Sequence, residues 1–344
     1  MSAPSPGAGA GGEQALLEEL RDAGRSARTV PDFFVVGHAK CGTTALHAML
    51  AGHPQLFLPV LRETQFLARG EAERTQTTGG RELRRPRTLD AYLALFDEAL
   101  PGQRVGEIST AYLRTPEAAA RIAALRPDAQ IIAFLREPAS FIRSFHLQLL
   151  QVGFETERDL AKALALEPER AEGRSIPAGC PWPGALLYTR HVRYAEQLRA
   201  YHELFGRDAV LTGIYEDFRR DNDGVVREVL RFLGVEESVE IARSEANPTV
   251  RVRSHRAEGL IDAVSMGRGP ASRAAGSVVR ALTPARVRRG ALRAMRRAVV
   301  DTAPPPPDGR LMAELHERFA GEVSAASELL GRDLGALWGY DRGV

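Results

Sequence analysis

The chain has very few cysteines and lysines, almost no net charge, and no long apolar run. Two cysteines in 344 residues, Cys41 and Cys180, cannot build a disulfide framework, which points to a reducing compartment. No apolar run approaches the roughly 18 residues that span a bilayer, and nothing reads as a signal peptide. The expectation is a soluble, cytoplasmic protein. Net charge is only +2, so bulk charge offers no pull on nucleic acid. No internal repeat and no His/Cys ligand cluster stands out, and no metal is expected. Of the 46 basic residues 44 are arginine, leaving Lys40 and Lys162, a bias that suggests a GC-rich, bacterial genome. What is present, 44% hydrophobic residues over this length, is ample for a large α/β domain.

The chain is organised around residues 33–66. Phe33, Phe34, Val35 and Val36 form a short continuous apolar run that suits a central parallel strand. The loop GHAKCGTT follows. Its glycines permit a sharp turn, and the amides from about Cys41 to Thr44 open a helix whose first N–H groups attract an anion. A nucleotide-triphosphate P-loop places lysine directly after its second glycine. Here Lys40 stands two residues before Gly42, where a compact ammonium can meet a bridging or leaving oxygen.

This loop resembles the 5′-phosphosulfate-binding loop of sulfotransferases that use 3′-phosphoadenosine 5′-phosphosulfate (PAPS), whose usual form is close to G-x-x-K-S/C-G-T-T/S. The resemblance implies a P-loop-like, three-layer α/β/α fold with a central, mainly parallel sheet. It implies PAPS as sulfuryl donor, held by Lys40, Cys41, Gly42, Thr43 and Thr44. Distant segments agree with it. LRETQF is similar to the K-E-x-H-F-F segment of carbohydrate and heparan-type members, which implies Glu63 as base on the acceptor hydroxyl; Arg62 and Gln65 replace the usual lysine and histidine. A carboxylate suits that task if burial raises its pKa. VGEISTAYL resembles an acceptor-lining segment, with Thr110 in place of proline, and makes Glu107, Ser109 and Tyr112 candidates for substrate contact. In AQIIAFLREPASFIRSFHLQ the pair Arg136 and Ser144 resembles the family's 3′-phosphate site, where a guanidinium can hold phosphate in a bidentate way. His146 follows as a further acceptor candidate.

Later signals are weaker. Glu216 and Asp217 lie in a turn that resembles a bracing element of the family. Arg251 and Arg253 in NPTVRVRS lie where relatives close a basic loop over the nucleotide. Residues 284–300 form a basic amphipathic helix with six arginines; it reads as a solvated face, with an acidic acceptor or an anionic membrane surface as alternatives. A disordered or loosely helical extension over 1–28, a single domain over 29–344, a basic helical segment over 256–300 and a Pro-rich linker at 304–307 complete the expected organisation. The implied reaction is sulfuryl transfer to a hydroxyl on a sugar, glycolipid or small metabolite. A P-loop-type kinase and a non-catalytic module that binds PAPS or its product are the alternatives.

Overall fold

The computed structural model describes residues 7–68, 85–239, 251–252, 300–301 and 306–342. Its centre is a five-stranded parallel sheet. Strands β1 (Phe33–Val35), β2 (Leu56–Phe57), β3 (Arg104–Ile108), β4 (Gln130–Leu135) and β5 (Val210–Ile214) lie in the order β2-β3-β1-β4-β5. The apolar run predicted to be central is central. Phe33, Phe34, Val35 and Val36 have no exposed surface, and β1 pairs with Gly106–Ile108 on one side and Gln130–Ile132 on the other. A strand covered on both faces has no solvent side on which a polar residue could alternate.

Helices supply the crossovers that parallel strands require. After α1 (Gly7–Arg25), the first is α2 (Thr43–Leu50), which buries Ala45, Leu46, Met49 and Leu50; α3 (Pro116–Leu125) links β3 to β4. Then α4 (Pro138–Val152) leaves β4, and α5 (Tyr194–Phe205) precedes β5. After β1 the chain moves to one side of the sheet for β2 and β3, then crosses to the other for β4. That reversal opens a crevice at the carboxyl ends of the strands, the usual place for a ligand in such sheets.

The chain divides into two compact units. The first comprises 1–141, 189–247 and 314–344 and holds the whole five-stranded sheet; the second comprises 142–188 and 248–313. The sequence reading took 29–344 as a single domain. Inside the second unit Arg170 makes a two-pronged pair with Glu155, at 2.7 and 2.9 Å, and the Tyr188 hydroxyl donates to the same carboxylate at 2.8 Å. Burial presses the Glu155 carboxyl upward, but Arg170, two backbone amides and Tyr188 outweigh it, so it stays ionised. A short antiparallel pair, Arg251–Val252 with Val300–Asp301, also belongs there. The predicted basic helix 284–299 and residues 304–305 of the linker lie outside the described residues.

The N-terminal helix differs from expectation. Helix α1 begins at Gly7, although residues 1–12 read as unstructured, and it is not loosely attached: Leu16 and Leu20 are buried and Glu13 pairs with Arg121. The reason is an apolar face, Leu16 and Leu20, one helical turn apart. At the other end α6 (Gly309–Leu330) buries Leu315, Phe319, Val323 and Ala326 along one stripe. The following α7 (Leu334–Trp338) sends the Trp338 indole N–H to the half-buried Glu216 carboxylate at 2.9 Å. Glu216 is therefore the bracing group that the sequence suggested. Replacing Trp338 with Phe keeps the ring but removes this donor. The expected cost is about 1–2 kcal/mol in a urea titration, since a half-buried carboxylate oxygen loses its partner.

Candidate functional site

The anion loop is built from β1 outward. The Val36 and His38 amides continue the strand's pairing onto Ile132 and Phe134 at 2.9 and 3.2 Å, and the Cys41 amide then turns back to the His38 carbonyl at 3.3 Å. Lys40 and Gly42 take left-handed backbone, with φ of 66° and 87°. Gly42 is required twice over, because an added Cβ there would lie 2.7 Å from Phe218 Cδ1. Lys40 is not glycine, and holding it there costs on the order of 1 kcal/mol, a kind of strain that gathers at functional sites. Of the two predicted hydroxyls Thr43 is buried and Thr44 exposed. Cys41 is buried, donates to the Ala39 carbonyl and has its thiol pushed up by burial, so it is an unreactive filler.

Arg136 emerges from β4 and meets this loop directly. Its Nη1 donates to the Lys40 carbonyl at 3.0 Å, and its guanidinium lies 4.4 Å from the centre of the Tyr215 ring. Its Nε is buried with no hydrogen-bond partner among the described residues. Burial first, and the Arg136 charge second, hold the Lys40 ammonium below its ordinary pKa. Two cations thus converge beside the free amides of a helix start, an arrangement that an anion would relieve.

The carboxylate candidate sits at the end of β2. Glu63 and Gln65 are also in left-handed backbone, at φ 56° and 52°. The half-buried Glu63 carboxylate accepts from the Thr110 amide at 3.0 Å and the Thr110 hydroxyl at 2.9 Å. Burial raises its pKa above the ordinary 4.5, against the opposing pull of those two donors and of Arg85 and Arg114. The Arg85 guanidinium is fixed nearby by Gln65 Oε1 at 2.9 Å.

Glu107, Ser109 and Tyr112 do something other than line a cleft. Their exposures are 1%, 0% and 0%. Glu107 accepts from Tyr92 at 2.5 Å, Tyr112 at 2.7 Å, Ser109 at 2.9 Å and also from Thr64. Ser109 Oγ in turn accepts from the Gln65 amide, and Tyr112 Oη from the Leu67 amide. The three residues correct the sequence expectation: they form an internal hub that holds the backbone of residues 63–67 onto β3.

The comparisons with known proteins bear on this edge. A model of the sulfotransferase family matches residues 31–172, which include the anion loop, Glu63 and Arg136. This segment is of the sulfotransferase family. The human bifunctional heparan sulfate N-deacetylase/N-sulfotransferase 3 is 27% identical over 216 residues, 60% of this chain; the matched region is only 22% of that longer protein. The crystal structure of a sulfotransferase from Alicyclobacillus acidocaldarius superposes with a TM-score of 0.63 at 28% identity, covering 90% of this chain and 99% of that one.

The remaining expectations separate. Ser144 is buried on α4, in the second unit. His146 is buried too, its Nε2 donating to the Glu157 carbonyl at 2.8 Å and its ring edge-on to Tyr188, so it is a packed residue rather than an acceptor contact. Arg251 lies in the short strand Arg251–Val252, and Arg253 lies outside the described residues. Among the described residues no group of three or more His, Cys, Asp or Glu is placed to hold a metal, and no helix is long and apolar enough to cross a membrane.

Sequence reasoning missed His38. It is 1% exposed and donates from Nε2 to Gln197 Oε1 at 3.0 Å, while Gln197 Nε2 donates to the Arg190 carbonyl at 3.0 Å. Phe141 and Tyr194 enclose its ring at 5.2 and 5.5 Å. Burial, reinforced by Arg114, lowers its pKa from 6.5 to about 3. The unfolded chain therefore binds a proton that the folded chain refuses. Stability from this group is complete above pH 6.5 and drains away as pH falls towards 3, at about 1.4 kcal/mol per pH unit. His38→Asn should flatten the acid side of an unfolding-energy profile by that slope relative to the unmodified chain.

Proposed function

We propose that the chain transfers a sulfuryl group from PAPS to an acceptor hydroxyl on a sugar, glycolipid or small metabolite, releasing 3′-phosphoadenosine 5′-phosphate. The observation that carries this reading is that one sheet edge presents a strained lysine after β1 and a strained carboxylate of raised pKa after β2. A donor of this kind fits the residues present. Helix-start amides, Lys40 and an Arg136 whose Nε has no partner among the described residues form a donor-rich, positive lining suited to phosphate and sulfate oxygens.

PAPS would supply the activated sulfuryl group; the protein supplies position and charge. Lys40, Gly42, Thr43 and Thr44 hold the phosphosulfate end, with Lys40 nearest the oxygen on which charge builds. Cys41, its amide turned back onto the His38 carbonyl and its thiol buried, shapes the loop around the donor. Arg136 is assigned to the 3′-phosphate, together with Ser144; Arg251 and Arg253 are further proposals for the same nucleotide. Glu63 takes the acceptor proton. Its raised pKa makes it a stronger base than an ordinary carboxylate, and the Thr110 donors keep its other oxygen oriented outward. Activity should therefore fall as pH drops through that raised pKa, where the base becomes protonated.

The name of the human relative, a heparan sulfate N-sulfotransferase, suggests a heparan-type sugar and makes an amino group on it the acceptor to test beside the hydroxyl. The cysteine usage suits a cytoplasmic setting. A P-loop-type kinase is the second reading, weakened by the place of Lys40, and a module that binds without chemistry is the third. Calorimetric titration with 3′-phosphoadenosine 5′-phosphate, ATP and the analogue lacking the 3′-phosphate separates the first two. The expected result is tight binding of the first and at least tenfold loss without the 3′-phosphate; preference for ATP would sink the assignment. Glu63→Gln should lower turnover at least a hundredfold with nucleotide affinity unchanged, the scale of a lost general base, whereas full turnover would remove Glu63 from the mechanism.

A further inference from the structure

The N-terminal helix reaches the carboxylate loop through one buried arginine. Arg121, on α3, is 3% exposed. Its Nε donates to Glu13 Oε1 at 2.9 Å and its Nη2 to Glu13 Oε2 at 2.5 Å, a two-pronged pair with α1. Its Nη1 turns the other way and donates to the Leu67 carbonyl at 2.8 Å. The amide of the same Leu67 donates to Tyr112 Oη at 3.3 Å, and Tyr112 is bound to Glu107. Leu67 is thus held by Arg121 on its carbonyl side and by the Glu107 hub on its amide side.

Helix α1 is seated firmly enough to act as an anchor. Leu16 and Leu20 are buried, and near its end Gly24 comes so close to α3 that an added Cβ would lie 2.1 Å from the Leu125 carbonyl oxygen. The loop it reaches stores strain: Glu63 and Gln65 both have positive φ without being glycine. Such backbone persists only where its surroundings over-determine it.

We propose that α1 is a positioning strap for this loop: Glu13, acting through Arg121, fixes Leu67 and with it the strained backbone that presents Glu63. Glu13 and Arg121 are positioning residues that touch no substrate. The functional meaning rests on Glu63 being the base, as proposed above, but the mechanical coupling does not.

The test uses the full chain carrying Glu13→Gln together with Arg121→Met, which removes both charges of the pair at once. Leu16 and Leu20 remain to keep α1 docked. Residue-resolved amide exchange is read at Glu63, Gln65, Phe66, Leu67 and Ala68, whose amides bond to Ile108, Ser109, Thr64, Tyr112 and Gln65 respectively. Exchange at these five should quicken about tenfold, or 1.4 kcal/mol, while the amides of β4 keep their rates. The Glu63 carboxyl carbon, assigned in an NMR titration by its disappearance in Glu63→Gln, should then titrate closer to the ordinary 4.5, because a loosened loop lets water reach it. Unchanged loop amides, a uniform rise across the sheet, or an unmoved Glu63 titration would each overturn the strap. Neither readout needs donor or acceptor, so loss of the base assignment through an active Glu63→Gln would be seen separately.

Discussion

The buried carboxyl group of Glu107 is the interaction on which the candidate site depends. A carboxyl group at the end of a parallel strand, with 1% of its surface exposed, is tolerable only if its oxygens are fully used. Four hydroxyls meet that demand, from Thr64, Tyr92, Ser109 and Tyr112. Each of those groups comes from a different part of the chain or a different turn of it, so satisfying one charge fixes the ends of several elements at once. Burial still raises the Glu107 pKa, and its hydroxyl partners suit either protonation state better than a lysine or arginine would. The consequence lies one residue away: with Thr64 bound inward to Glu107, Glu63 on one side and Gln65 on the other must point elsewhere.

The other half of the edge runs on the opposite principle. Around the anion loop positive groups are crowded rather than paired. Lys40 is held below its ordinary pKa by burial and by Arg136, and Arg136 spends a donor on the Lys40 carbonyl instead of on a protein carboxylate. Glu216 is close enough to feel Arg136 but gives its oxygens to Trp338 and to the Glu137 amide. The protein thus leaves a net positive field at the end of β1 and β4, which is destabilising for the free chain and favourable for an anionic ligand. A negative hub that is internally satisfied and a positive loop that is not lie along one sheet edge.

Much of this was legible in the sequence because it depends on local order. A four-residue apolar run with no polar alternation is a central parallel strand, and the glycine-lysine-glycine spacing of residues 37–42 demands a tight loop before a helix. Residues 131–135 and Arg136 follow the same logic at β4. What was not legible depends on direction and distance. VGEISTAYL contains Glu107, Ser109, Thr110 and Tyr112, and the sequence gives no sign of what each one meets; all four are buried, three of them bind one another, and Thr110, standing where relatives have proline, is the one that grips Glu63. His38 was hidden for another reason: its partner Gln197 is 159 positions away, and a histidine inside a glycine-rich loop invites a polar reading that its aromatic surroundings contradict.

The same reasoning explains why the N-terminal helix was misjudged. A Gly- and Ala-rich start reads as loose by composition, yet Leu16 and Leu20 give the helix a buried apolar contact. Arg121 adds a second hold, because a guanidinium buried on α3 needs an acid brought to it. Glu13 is that acid, supplied from 108 positions away. The demand of a buried charge therefore adds to that apolar contact in ordering a segment whose composition reads as loose. Because the guanidinium has a donor to spare after the two-pronged pair, the same demand ties that segment to Leu67. Glu107 and Arg121 solve one problem in two signs, and the backbone between Glu63 and Leu67, strained at two positions, lies between the two solutions.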